Sequence, residues 1–269
     1  MANDLPLTPD TESPKLRNKG IYLLPNLFTT AVLFSGFYAI VAATDGNFDR
    51  AGIAIFIAMV CDGLDGRIAR WTGTQSNFGK EYDSLSDMVA FGIAPAVVAY
   101  QWGVFRISEY GALWGRLGWL ATFFYAVCAA LRLARFNARA ATSDKRYFEG
   151  LPSPSAAAVL AGFVWILADF HLEGWFALVL AFLVAITAGA LMVSRFPYLS
   201  GKDFDENKRI PFAFLLLVPV GFIILSLSPA EMLFGMFGLY ALSGPSAWIW
   251  HRLGRGRRAS PRPQDGGSP

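Results

Sequence analysis

Cysteine and histidine are nearly missing from this chain, with two of each in 269 residues. Cys61 and Cys128 both sit in apolar runs and form neither a disulfide framework nor a spaced metal motif. His171 and His251 stand at loop or span ends without ligand partners in spacing, and read as solvated. Charge is scarce as well. Only 16% of residues are charged against 54% hydrophobic, with a mean hydropathy of +0.41. That balance excludes an ordinary soluble domain. No internal repeat is visible. The first apolar segment follows a polar stretch containing Pro14, which does not resemble a cleaved signal peptide.

What the chain does have is long apolar runs. They predict an all-α, polytopic membrane helix bundle with about eight spans, each near the ~20 residues needed to cross. The expected spans are roughly 25–43, 51–70, 83–101, 117–138, 153–170, 174–193, 211–227 and 230–249, the first opened by Pro25. A polar segment 1–20 precedes this membrane domain, 21–250, and a basic tail, 251–269, follows it. The tail reads as disordered and as a topology anchor. With eight spans, one side of the membrane collects 20 of the 23 Lys and Arg residues, leaving Arg50, Arg106 and Arg116 opposite. The basic side, with both termini, is therefore expected in the cytoplasm. Gly111-x3-Gly115 falls in a polar connection, so its likeness to a helix-pairing motif reads as accidental.

Four aspartates break the apolar pattern. Asp62 and Asp65 close the second expected span; Asp83 and Asp87 open the third. Ionisable groups in membrane helices are costly unless paired or metal-bound, which makes these functional candidates. At 100° per residue, Asp62, Asp65, Gly66 and Ala69 share one arc of a helix, while Leu64 and Ile68 point away. Asp83 and Asp87 lie one turn apart. A short connection would make the two helices antiparallel neighbours with facing carboxylates. Four carboxylates so close need cations between them, and oxygen-only ligands favour Mg²⁺ or Mn²⁺ over zinc. Two ions fit the ligand count, in a geometry suited to phosphoryl displacement. Asp62 and Asp65 precede Arg70 by eight and five residues, about 12 and 8 Å along a helix. That is the depth of lipid phosphates. Gly66 and Gly79 leave room for a flat or charged group, and Arg70 can hold a diphosphate with two parallel hydrogen bonds. The blander account is small-residue helix packing with a snorkelling arginine. It competes for each residue singly, but not for the spaced set.

The set Asp62-x2-Asp65-Gly66-x2-Ala69-Arg70-x8-Gly79-x3-Asp83-x3-Asp87 resembles, position by position, the signature of the CDP-alcohol phosphatidyltransferase family. The resemblance implies that Asp62, Asp65 and Asp83 are metal ligands, and that Asp87 is both a ligand and the base that deprotonates the acceptor alcohol. It implies that Gly66, Ala69, Arg70 and Gly79 border the CDP moiety and that Ser76 touches the diphosphate region. Pro25-Asn26-Leu27-Phe28-Thr29 is similar to the family's P-N-x-x-T, which places Asn26 and Thr29 beside the same nucleotide. A homodimer in the cytoplasmic (inner) membrane, its site facing the cytoplasm, is the implied setting.

Three further stretches resemble the phosphatidylserine synthase branch of that family: Asp83-Ser84-Leu85-Ser86-Asp87 running into Phe91-Gly92-Ile93-Ala94-Pro95-Ala96, Leu131-Arg132-Leu133-Ala134-Arg135-Phe136-Asn137, and Phe148-Glu149-Gly150-Leu151-Pro152-Ser153-Pro154. The implied substrates are CDP-diacylglycerol and L-serine. On residue types alone, L-serine needs a cation for its carboxylate, for which Arg132 and Arg135 are the candidates. Asn137, Glu149 and Ser153 follow, if loop 139–152 folds over the site. Glycerol 3-phosphate or inositol phosphate would also want arginines, so residue types leave the acceptor open and the branch resemblance tips it to serine. A cation transporter is the rival from another class. It predicts carboxylates near midplane on broken helices in repeated halves, whereas these form one asymmetric cluster near one face.

Overall fold

The computed structural model of the chain describes residues 23–73, 76–139, 147–172, 174–199 and 227–256. Among them run α1 (Leu23–Thr44), α2 (Phe48–Thr72), α3 (Asn77–Asp87), a π-helical turn (Met88–Ile93), α4 (Ala94–Trp102), a 3₁₀ segment (Val104–Tyr110), α5 (Ala112–Arg139), α6 (Ser153–Asp169), α7 (Trp175–Val193) and α8 (Pro229–Gly256). Tyr147–Glu149 (β1) and Pro197–Leu199 (β2) form a small antiparallel ribbon, with Phe148 opposite Tyr198. Apart from short connections, the described residues are otherwise helical.

Among the described residues, four helices have the length and composition to cross a membrane: Pro25–Thr44, Ala112–Ala138, Trp175–Val193 and Pro229–Trp250. α2 and the α3–α4 rod carry the aspartates, and α6 is short at 17 residues. The expected span 211–227 lies outside the described residues apart from Leu227, so the count of eight is not reached here. Three boundaries move. The third rod starts at Asn77 rather than 83, because the Ser76 side chain accepts the Gly79 N–H at 2.9 Å and caps the helix. The helix expected from 117 starts at Ala112. α8 runs past 249 to Gly256.

The helices pack on small residues. Ala90, Ala94, Ala99, Ala157, Ala161 and Ala181 are all buried, as expected where association depends on close van der Waals approach rather than on a hydrophobic drive. Large apolar side chains point the other way: Phe34, Phe37, Phe123, Phe176 and Leu239 are exposed on the outside of the bundle. An inside of alanine and an outside of phenylalanine and leucine suits lipid as solvent, and the protein is integral to a membrane. Gly115 proves to have a local use. A Cβ there would fall 2.6 Å from Cβ of Ser108, so the glycine lets the 3₁₀ segment tuck beneath α5.

α1 packs against both α2 and α3 and is the main partner of each. The expectation that α2 and α3 meet with facing carboxylates holds: oxygens of Asp62, Asp83 and Asp87 lie within 4.8 Å of one another. Their acidic side chains meet in the space between the two helices.

Candidate functional site

In that space the aspartates pair in antiparallel register. The carboxyl of Asp62 meets that of Asp87, and the carboxyl of Asp65 meets that of Asp83. Asp62, Asp83 and Asp87 each offer an oxygen, and these atoms lie within 4.8 Å of one another. Asp65 is the most enclosed of the four, 5% exposed. Thr29 Oγ1 on α1 lies 3.1 Å from Asp65 Oδ2 and 3.1 Å from the Pro25 carbonyl.

Whether the cluster suits a metal can be judged from its unsatisfied atoms. Oδ1 of Asp83 and Oδ1 of Asp87 are buried without a hydrogen-bond partner. Buried acceptors of this kind are expensive to leave unmatched. Like charges within 4.8 Å add repulsion. A hard divalent cation removes both costs, and an all-carboxylate donor set fits Mg²⁺ or Mn²⁺.

The other residues singled out from sequence fall on α1, α2 and the start of α3. Gly66 is exposed on α2, with no atom within 4 Å of where a Cβ would stand. A Cβ on Gly79 would come 3.1 Å from Ser76 Oγ and 3.5 Å from Asn26 Oδ1, so Asn26, Ser76 and Gly79 are one group at the start of α3. Ala69 is half-buried near the end of α2. Arg70 follows it in the helix, and its side chain is outside the described residues.

The two arginines expected at an acceptor site have different surroundings. Arg132 on α5 is in electrostatic reach of Asp87 and Asp62, and its Nη1 donates to Ser153 Oγ at 2.8 Å. Arg135 instead donates to backbone carbonyls: Nη1 to Val193 at 3.0 Å, Nη2 to Glu149 at 2.8 Å, with Met192 and Ser194 at 3.4 and 3.3 Å. A cation on the last carbonyls of α7 meets both their lone pairs and the negative end of the helix dipole. In this structure Arg135, expected at the acceptor site, caps α7. Asn137 is likewise engaged, its Nδ2 donating to Ser84 Oγ at 2.8 Å and tying α5 to α3.

Of the loop 139–152 expected to fold over the site, residues 140–146 lie outside the described residues, and the part around Gly150 is bonded to the end of α7. Gly150 adopts φ +83° and lies against the Met192 and Ser194 carbonyls, which leaves no room for a side chain. Its N–H donates to Phe196 O at 2.9 Å, and Leu151 N–H donates to Leu191 O at 3.0 Å. The segment is therefore stapled to the end of α7, and that attachment delivers Ser153 to Arg132. Sequence reading overlooked two tyrosines. Tyr82 OH is 3.0 Å from Thr30 Oγ1, linking α3 to α1, and buried Tyr125 OH donates to Phe91 O at 3.0 Å. Nothing in their local sequence marks Tyr82; a signal for Tyr125 lies in the proline four residues beyond Phe91.

Known proteins share sequence with this chain over most of its length. Residues 22–193 match the family model described as CDP-alcohol phosphatidyltransferase. Over 232 residues the chain is 37% identical to the CDP-diacylglycerol–serine O-phosphatidyltransferase of Helicobacter pylori, covering 86% of this chain and 92% of that one. It is 36% identical over 188 residues to the Mycobacterium bovis protein of the same name, covering 67% and 62%. An archaetidylserine synthase of Methanothermobacter thermautotrophicus is 35% identical over 178 residues, covering 65% and 69%.

Proposed function

The chain belongs to the CDP-alcohol phosphatidyltransferase family, and on that premise we propose that it transfers the phosphatidyl group of CDP-diacylglycerol to the hydroxyl of L-serine, releasing CMP. The observation that carries this reading is the meeting of Asp62, Asp83 and Asp87 within 4.8 Å, two of them with orphaned oxygens, in reach of the Arg132 guanidinium.

Asp62, Asp65, Asp83 and Asp87 would hold two Mg²⁺ or Mn²⁺ ions. When bound, the ions supply charge neutralisation at the diphosphate and at the departing CMP. Asp87 accepts the proton of the serine hydroxyl. The serine oxygen attacks the phosphorus that carries diacylglycerol; the P–O bond to the CMP phosphate breaks and CMP leaves with that electron pair. Asn26, Thr29, Gly66, Ala69, Arg70, Ser76 and Gly79 border the nucleotide, with Arg70 on the diphosphate. Arg132 binds the serine carboxylate, and Ser153 orients its guanidinium. Serine is favoured by the names of the relatives, including one whose lipid is archaeal. Lys and Arg placement supports an inner-membrane protein whose site opens to the cytoplasm, and a homodimer belongs to the same reading.

The test uses detergent-purified full chain with CDP-diacylglycerol, Mg²⁺ or Mn²⁺ and a panel of alcohols. CMP release with serine alone is the expected result. Release with glycerol 3-phosphate or inositol phosphate instead would reassign the acceptor, and silence with every alcohol would end the proposal.

A further inference from the structure

In an uninterrupted α-helix the Phe91 carbonyl accepts from the N–H of residue 95, and residue 95 is proline. Pro95 has no N–H to give, and its ring crowds that carbonyl. The rod answers with the π-turn Met88–Ile93, in which the Ala94 N–H reaches back five residues to Val89 O. Phe91 O thereby loses its α-helical donor in a setting without water, where a poorly satisfied carbonyl is costly. The Tyr125 hydroxyl, fully buried on α5, donates to it at 3.0 Å. Two close approaches hold the turn on either side. A Cβ on Gly36 of α1 would come 2.6 Å from Ala90 Cα, and one on Gly92 would come 3.2 Å from Ala129 Cβ of α5.

A π-turn inserts about one residue, and so rotates the helix before it by roughly 100° against the helix after it. What comes before is Asp83 and Asp87, the latter adjoining the turn; what comes after is α4, fixed in the core by buried Ala94, Val98 and Ala99. We infer that Tyr125 is a positioning residue: by holding the Phe91 carbonyl it keeps the π-turn in place, and the turn sets the rotation at which Asp83 and Asp87 face Asp65 and Asp62. The activity arm of its test rests on the function proposed above; the metal arm does not.

The experiment compares wild type, Tyr125→Phe, Pro95→Ala and the double variant as full chains in detergent. Mn²⁺ alone is titrated by electron paramagnetic resonance, with thermal unfolding and CMP release alongside. Tyr125→Phe is expected to weaken Mn²⁺ binding and lower kcat about tenfold, the low end for groups that hold metal ligands in place, with the serine KM within about twofold. The double variant regains a donor for Phe91 O and straightens the rod. It is expected to recover thermal stability without recovering Mn²⁺ affinity. Wild-type Mn²⁺ affinity in Tyr125→Phe, or recovery of both properties in the double variant, would overturn the inference. If Tyr125→Phe does not fold, the double variant, which has an N–H at position 95 and lacks the hydroxyl, must itself show the Mn²⁺ loss, and wild-type affinity there overturns the inference equally. A wild type that binds Mn²⁺ yet releases no CMP would count against the substrate assignment and leave the positioning test standing.

Discussion

Thr29 Oγ1 of α1 sits 3.1 Å from Oδ2 of Asp65 of α2, the most enclosed carboxylate of the cluster. The contact joins the first described helix to the acidic centre and gives one Asp65 oxygen a donor. Thr29→Val keeps the shape and removes the donor. It is expected to weaken Mn²⁺ binding by about tenfold, read by titrating the ion, while Thr29→Ser stays near wild type. Unchanged affinity in the valine variant would show the contact to be incidental.

Asp87 combines a ligand position with the proposed proton acceptor. Asp87→Asn removes the base and retains the volume, so CMP release is expected to fall by a factor on the order of 10² or more. CDP-diacylglycerol binding, followed by calorimetry in detergent, remains measurable. Normal turnover in that variant would refute the assignment of the base.

Arg132 and Arg135 lie one turn apart and are expected to fail differently. Arg132→Lys keeps a charge but loses the planar fork, and is expected to raise the KM for serine several-fold more than that for CDP-diacylglycerol. Arg135→Ala uncaps the last carbonyls of α7; its effect is on stability, about 1–3 kcal/mol for a lost charged hydrogen-bond set, with little selective change in serine KM. Steady-state kinetics in both substrates and thermal unfolding separate the two. A serine-selective defect in Arg135→Ala would restore it to the acceptor site.

Gly36 allows α1 to lie against the backbone at Ala90. Neither side can yield cheaply, since the contact is with a main-chain atom. Gly36→Ala is expected to cost about 1–3 kcal/mol by overpacking, seen as a lower unfolding temperature, and to reduce CMP release because α1 carries Asn26 and Thr29. A variant as stable as wild type would mean that the helices separate freely here.

Much of the site could be read from residue order, because a helix converts spacing into direction. Asp62 with Asp65, and Asp83 with Asp87, had to share faces at their separations, and a carboxylate near lipid demands a partner wherever the chain leads. The membrane character followed as directly from composition. Local order was silent on what α1 does, because whether it packs beside α2 and α3 or elsewhere depends on small-residue contacts such as Gly36 with Ala90, whose partners are 54 positions apart. It was equally silent on which arginine faces the acids. Arg132 and Arg135 have the same chemistry and nearly the same place in α5; only the arrival of the α7 carbonyls and of Gly150 gives one a structural duty and leaves the other turned toward Asp87. The π-turn belongs between these cases. Pro95 announces that the helix cannot continue unchanged, but the donor that makes the distortion affordable, the Tyr125 hydroxyl, comes from another helix, and only folding brings it there.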